Sequence, residues 1–216
     1  KGITGYGFAA ELPHIGYPLN MIRHTSSSML KELVGADLRE RRPLLDSLEQ
    51  KHGSCKPAKA AVEMALYDCL AKSLEMPLYK LLGGGFRKDV PILRILSIKT
   101  PEEMAANAMR LSAAGYRYLK VKIDNEDPEL DAARVATIRK TVGDKVRLTL
   151  DANQSYSAEQ AVAFYHKVSA YRIDLFEQPV PVNDLEGLKY VTQSIDCLVE
   201  GDESAATVED VYRIVT

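Results

Sequence analysis

Hydrophobic and polar positions change rhythm once along this chain, near residue 90. Before that point most of the pattern is helical. Residues 1–11 read as a strand punctuated by glycine, and residues 20–50 carry helical patterning broken near Gly35. Ala58, Ala61, Val62, Ala65, Leu66, Cys69 and Leu70 then recur at the i, i+3, i+4, i+7 spacing of a buried helical stripe. Ser54 is the candidate cap of that helix and Pro57 falls near its first turn; Met76-Pro77 ends it. A short helical turn from Leu78 to Leu82 leads into Gly83-Gly84-Gly85. This glycine run follows a helix and lacks the Lys-Ser/Thr ending of a phosphate loop, so it reads as a C-cap.

After residue 90 short apolar runs alternate with helical segments. The runs are Val90–Ile98, Tyr116–Ile123, Val146–Leu150, Ile173–Phe176 and Cys197–Val199. Helix starts are signalled at Thr100-Pro101-Glu102, Asp127-Pro128-Glu129, Ser157-Ala158-Glu159 and Asn183-Asp184, and at Thr207 with Glu209 and Asp210 in the first turn. Such alternation predicts an α/β fold with a parallel sheet and crossover helices, either an open doubly wound sheet or a (β/α)8 TIM-type barrel. Only about five βα units fit in the 216 residues, whereas a barrel needs eight and about 250 residues. The predicted division is residues 1–89 and residues 90–216.

Composition narrows the partners. Lys and Arg number 28 against 30 Asp and Glu, and no long basic run occurs, which argues against nucleic acid. No apolar stretch approaches the roughly 20 residues that span a bilayer, and the opening residues do not read as a signal peptide. Cys55, Cys69 and Cys197 are odd in number without CxxC spacing, so reduced, buried thiols and a cytoplasmic location are expected. His14, His24, His52 and His166 show no metal-ligand spacing and read as ordinary surface or core residues.

The chemistry collects at the carboxyl ends of the predicted strands. The second ends Leu119-Lys120-Val121-Lys122, the third Leu150-Asp151-Ala152-Asn153, the fourth Phe176-Glu177-Gln178-Pro179, and the fifth runs into Gly201-Asp202-Glu203-Ser204. Lys122, Asp151, Glu177 and Asp202 follow one another at 29, 26 and 25 positions, each about one βα unit. In a barrel, consecutive strand ends surround a single mouth, so three carboxylates would converge there. Like charges raise one another's pKa, and such a group needs a cation. Oxygen-only ligands favour a hard ion, Mg2+ before others. Lys120 and Lys122 face the same side of their strand, and a close lysine pair near a divalent ion lowers one member's pKa towards that of a usable base. Any one of these acids taken alone is more often a helix cap than a ligand; their succession at three strand ends is what points to a metal site.

These four strand ends, in this order and spacing, resemble the enolase superfamily. So do the helix Ala60–Asp68 and the stretch Pro77–Gly84 that follows it. The resemblance covers nearly the whole chain. It implies a partial α+β capping domain ahead of a partial barrel, and a Mg2+ enzyme (Mn2+ the alternative ion) acting on a small carboxylate, with a homo-oligomer expected. By resemblance Asp151, Glu177 and Asp202 are the metal ligands, Lys122 is the base and Lys120 its pKa-lowering, substrate-contacting neighbour. Asn153 and Glu203 support the site from behind. The Asp202-Glu203-Ser204 form resembles the muconate-lactonizing (muconate cycloisomerase) branch more than the mandelate racemase branch. Phe8 stands where a Glu is common. The superfamily's sixth-strand lysine and the strands and mobile loop that close over substrate have no counterpart here, so the chain is expected to be truncated at both ends and inactive alone.

The reaction implied is removal of a proton α to a carboxylate through an enediolate, giving cycloisomerisation, racemisation or epimerisation. A dehydratase of the same superfamily is the alternative. A Schiff-base lyase would need only a lysine and leaves the three acids unexplained. A fragment acting as a binding protein is the remaining rival.

Overall fold

The computed structural model describes residues 2–13 and 16–216; Lys1, at the head of the predicted first strand, and His14 lie outside them. The chain divides into two compact units, Lys1–Lys88 and Asp89–Thr216.

The first unit is built from α1 (Leu19–Glu32), a 3-10 turn (Leu38–Glu40), α2 (Arg41–His52), α3 (Lys56–Ser73) and α4 (Leu78–Leu81). Helix α3 buries Val62 and Leu66 against Met29 of α1 and Leu48 of α2, and Ala58 against Ile22 and Cys55. Pro57 sits in its first turn as expected, but Ser54 is not its cap. Cys55 takes that position, and no side chain caps the helix. Gly83 and Gly84 adopt φ of +110° and +100° beyond α4, a backbone region where glycine carries no steric penalty, and the Gly84 N–H closes on the Tyr79 carbonyl at 2.9 Å.

The segment expected to be a strand, residues 1–11, makes no ladder among its described residues. An isolated antiparallel bridge between Leu12 and Tyr17 follows it. Its glycines serve a different contact. A Cβ on Gly5 would lie 2.0 Å from the Ala65 carbonyl oxygen, and one on Gly7 would lie 1.8 Å from that of Ala61. Bare backbone therefore rests on the small-residue side of α3. The Tyr6 N–H donates to Asp68 Oδ2 at 2.8 Å and Lys72 Nζ to the Thr4 carbonyl at 3.0 Å, which fixes the segment there.

The second unit alternates throughout: β1 (Leu93–Leu96), α5 (Pro101–Ala113), β2 (Tyr118–Lys122), α6 (Pro128–Val142), β3 (Arg147–Asp151), α7 (Ala158–Val168), β4 (Ile173–Glu177), α8 (Leu185–Ser194), β5 (Leu198–Glu200) and α9 (Val208–Val215). The start signals act as expected. Thr100 with Glu103, Ser157 with Gln160 and Thr207 with Asp210 form capping boxes, while Asp127 and Asp184 accept backbone N–H groups of α6 and α8. All strands are parallel and their spatial order is β1-β2-β3-β4-β5. A doubly wound sheet reverses direction at a switch point; an unreversed order is that of a barrel wall.

Strand alternation then separates core from site. Leu119, Val121, Leu148, Leu150 and Phe176 point to the helices, where they pack with Met104, Val135, Ile138, Phe164 and Val191. The opposite face carries two rows set by the register, the upper one wholly polar. The lower row is Ile95, Lys120, Thr149, Leu175 and Leu198; the upper is Lys122, Asp151, Glu177 and Glu200. A bulge in β4 keeps this alignment, since Leu148 pairs with Ile173 but Thr149 with Leu175.

At the other end of the strands a buried Arg139 closes the frame. Its guanidinium donates to the carbonyls of Gly143 (2.7 Å), Val146 (2.6 Å), Tyr171 (2.8 Å) and Arg172 (3.0 Å). Arg139→Met strands these acceptors and is expected to cost about 2–4 kcal/mol. A thermal melt should show this as a Tm lower by roughly 5–15 °C; an unchanged Tm would mean the guanidinium does not brace the sheet.

Candidate active site

The register places the site before any side chain is considered. Lys122, Asp151 and Glu177 are successive partners across β2, β3 and β4. Lys120 stands one pleat below and reaches up between the two acids. Its ammonium pairs with Glu177 Oε2 and lies 3.3 Å from Asp151 Oδ2. Lys122 Nζ lies 2.6 Å from the same Asp151 oxygen and donates to Asn153 Oδ1. The two carboxylates are nearly closed to solvent, Asp151 at 1% and Glu177 at 6% exposure.

Their protonation follows from this setting. Burial pushes Asp151 up, but the hydrogen bond and charge of Lys122, the Asn153 N–H and the charge of Lys120 win, so its pKa lies below the ordinary value. Glu177 goes the other way. Burial raises it, and with the charges of Asp151 and Glu200 added the help from Lys120 does not bring it back to the ordinary value. Lys120 is pulled down by burial yet ends above its ordinary value, because Glu177 and Asp151 flank it. Lys120, expected as the neighbour that lowers the pKa of Lys122, is thus itself held in the charged form. Two buried anions, not a neighbouring cation, dominate its surroundings.

The outer parts of the expected site are placed differently. Asn153, in the left-handed region at φ +41°, donates from Nδ2 to Glu203 Oε1 at 3.0 Å, so it bridges Lys122 and Glu203. Glu203 Oε2 is buried without a hydrogen-bond partner. Asp202 does not join the cluster. It lies beyond β5, exposed, and its carboxylate makes no hydrogen bond among the described residues. Among these residues no three His, Cys, Asp or Glu side chains stand close enough to hold a metal. The expected convergence of three acids thus stops at two, because the upper row reaches β5 at Glu200, one pleat short of Asp202. What remains still suits a hard cation. The donors are oxygen only, they are buried, and a lysine ammonium already sits between them as a stand-in positive charge.

Several residues that hold the site were not singled out from sequence. Gln178, fully buried, accepts at Oε1 from the N–H of Asp202 (2.9 Å) and of Ser204 (3.1 Å). Asp131, also fully buried, accepts at Oδ2 from the N–H groups of Asp124 (3.3 Å) and Asn125 (3.1 Å) and from the Tyr156 hydroxyl (3.1 Å). It pairs at Oδ1 with Arg134 (2.6 Å), whose Nε donates to the Lys99 carbonyl (2.8 Å). One carboxylate so ties the loops after β1, β2 and β3. The signal was available: Asp131 and Arg134 interrupt the buried stripe of α6 beside Val135 and Ile138. Of the described histidines, His52 pairs with Glu32 at 2.7 Å, while His24 and His166 are exposed. The three cysteines are free, with Cys55 buried and Cys69 and Cys197 half-buried; burial pushes the Cys197 thiol up to about 11. No helix among the described residues is long and apolar enough to cross a membrane.

This fold and this order of strand-end residues define a class, and comparison with known proteins identifies it. The Enolase C-terminal domain-like family matches residues 103–216, and the Mandelate racemase / muconate lactonizing enzyme N-terminal domain matches residues 1–83. The chain belongs to the mandelate racemase/muconate lactonizing enzyme family of enolase-like proteins. It is 37% identical to the L-Ala-D/L-Glu epimerase of Bacillus subtilis over all of the chain and 60% of that protein. The structure of a dipeptide epimerase from Enterococcus faecalis, complexed with Mg and L-Leu-L-Tyr, superposes with a TM-score of 0.91 at 33% identity, covering 98% of the chain and 59% of the other. Muconate cycloisomerase 1 of Rhodococcus opacus is 31% identical over 84% of the chain and 49% of its own length. The chain therefore spans about 60% of the length of the epimerases it matches.

Lys120→Met tests the electrostatics. In the metal-free chain at pH 7 it leaves Asp151 and Glu177 buried with one counterion and is expected to cost about 2–4 kcal/mol. Glu177 already has a raised pKa in the fold, so the folded state binds the extra proton and the deficit shrinks as pH falls through that pKa. Denaturant melts at pH 7 and pH 5 check this; a deficit equal at both pH values would contradict it.

Proposed function

We propose that this chain carries the base-bearing and metal-binding side of an isomerase that moves the proton α to a carboxylate, epimerising a substrate of the dipeptide class. The observation that supports it is the row Lys122–Asp151–Glu177 with Lys120 beneath, two cations and two buried anions within hydrogen-bonding reach at adjoining strand ends. Asp151 and Glu177 would hold Mg2+, with Asp202 as the third ligand. When bound, the ion supplies Lewis-acid stabilisation of the negative charge that grows on the substrate carboxylate as the proton leaves.

The chain's own residues divide the remaining work. Lys122 is the more exposed lysine, at 26% against 17% for the side chain of Lys120, and it takes or returns the proton at Cα. Lys120, held protonated between Glu177 and Asp151, contributes a fixed positive charge instead of a second base. Asn153 holds Lys122 in place, with Glu203 behind it. The relatives support epimerisation over cycloisomerisation: several matched along the whole chain are epimerases by name and one is a racemase, whereas the muconate cycloisomerase is matched over less of it. Within the family this keeps the chain in the muconate-lactonizing branch in its broad sense. Mg2+ is preferred to Mn2+ because it is the ion in the Enterococcus faecalis complex.

In D2O with Mg2+ and an L-Ala-L-Glu dipeptide, the active protein containing this chain is expected to place deuterium at the substrate Cα, read by proton NMR. Lys122→Ala should slow that exchange by about 10²–10⁴-fold. Exchange at the wild-type rate in the variant would remove Lys122 from the role of base.

A further inference from the structure

The exposed carboxylate of Asp202 contrasts with its backbone, whose N–H and carbonyl are both hydrogen-bonded. Gln178 does the holding. Its amide uses all of its hydrogen-bonding capacity inside the protein: Oε1 accepts from the N–H groups of Asp202 (2.9 Å) and Ser204 (3.1 Å), and Nε2 donates to the Val180 carbonyl (2.9 Å) and Ser204 Oγ (2.8 Å). Its backbone adds two more links. The Gln178 N–H donates to the Glu200 carbonyl at 2.8 Å, and its carbonyl accepts from the Gln154 N–H at 2.8 Å. One buried residue therefore joins the turns that follow β3, β4 and β5.

The conformation of Gln178 shows that this is a demanding position. Its φ of +35° lies in the left-handed region, which non-glycine residues occupy only when the surroundings compensate. That bend follows directly on Glu177. It lets the Glu177 carboxylate face the lysines while the next side chain runs under the β5 turn. Two N–H groups two residues apart, at Asp202 and Ser204, then converge on a single oxygen, and the 3-10 turn Glu203–Ala205 forms around it. A glutamine suits this because it presents an acceptor and two donors at the end of two methylenes. Glutamate offers no donor, and asparagine is one methylene shorter.

We propose that Gln178 is the positioning residue that sets Asp202 relative to Glu177, so that the two acids can share one divalent ion. This rests on the metal-binding role assigned above to Asp151, Glu177 and Asp202, and it extends that role to a residue that does not touch the ion. Side chains that orient metal ligands commonly change metal affinity by about 10–100-fold when removed. A glutamine that merely filled a buried space would affect stability and leave affinity alone.

The test is Mg2+ titration by calorimetry on the 216-residue chain, with Gln178→Met beside Arg139→Met. Arg139 braces the opposite end of the strands, so its variant supplies a loss of stability without disturbance at the site. The expected result is saturable binding by the wild type, the same affinity in Arg139→Met, and binding at least tenfold weaker in Gln178→Met. Should Gln178→Met lack a cooperative thermal transition, Gln178→Asn keeps the amide but withdraws it from the Asp202 N–H, and the same loss is expected. Saturable wild-type binding with less than a tenfold change in the Gln178 variant that folds overturns the positioning role and leaves the metal site standing. No saturable binding by folded wild type overturns the metal reading itself and this inference with it.

Discussion

Two carboxylates buried side by side need positive charge within hydrogen-bonding distance, and at the ends of β3 and β4 Lys120 and Lys122 supply it. Asp151 and Glu177 are partners in the sheet register, so neither can move away from the other without breaking the ladder. The opposite directions of their pKa values express the same constraint. Asp151 has two ammonium groups close by, enough to offset its burial, whereas burial leaves Glu177 raised because it has one ammonium and faces two further acids. A pair in this condition is stable only while some cation is present.

The rest of the second unit keeps that arrangement in register. Parallel strands in consecutive order bring all their carboxyl ends to one side, and alternation sends Leu119, Val121, Leu148 and Leu150 into the helices while the polar set faces away. Arg139 ties together the carbonyls at the amino ends, and Asp131 and Gln178 tie together the turns at the carboxyl ends. These three polar residues are buried with their hydrogen bonds made, which is the condition under which buried polar groups fix one geometry.

Much of this was legible in the sequence, for identifiable reasons. The strands and helices of residues 90–216 announce themselves through short apolar runs and strong caps such as Thr100, Ser157 and Thr207, and their order follows from βα alternation. Lys122, Asp151 and Glu177 were readable because each ends a strand. The offset of Asp202 was not legible, since β5 ends at Glu200 and the turn carries Asp202 one pleat beyond the row; spacing along the chain does not encode that offset. Residues 1–11 misled because glycine alternation fits a strand and equally fits a backbone pressed on a helix. Only the contact with Ala61 and Ala65 tells the two apart. Gln178 lay inside a recognised motif, but nothing in a linear sequence shows that one amide reaches a turn 24 residues away.

On the proposed reading the two lysines cannot play equal parts. A lysine that neutralises a buried carboxylate is held protonated by it, and a protonated lysine cannot accept a proton from substrate. Lys120 is bound in this way to both acids, and its raised pKa records the consequence. Among the described residues the Lys122 ammonium bonds to Asp151 and Asn153 alone, and the second of these is uncharged. A divalent ion held by Asp151 and Glu177 would draw on the charge of both carboxylates; Lys122 would then keep only the uncharged Asn153, while Lys120 would stay between the two ligands. On that reading the asymmetry of the pairing favours Lys122 as the base, through the geometry of two strands rather than through any difference between the lysines themselves.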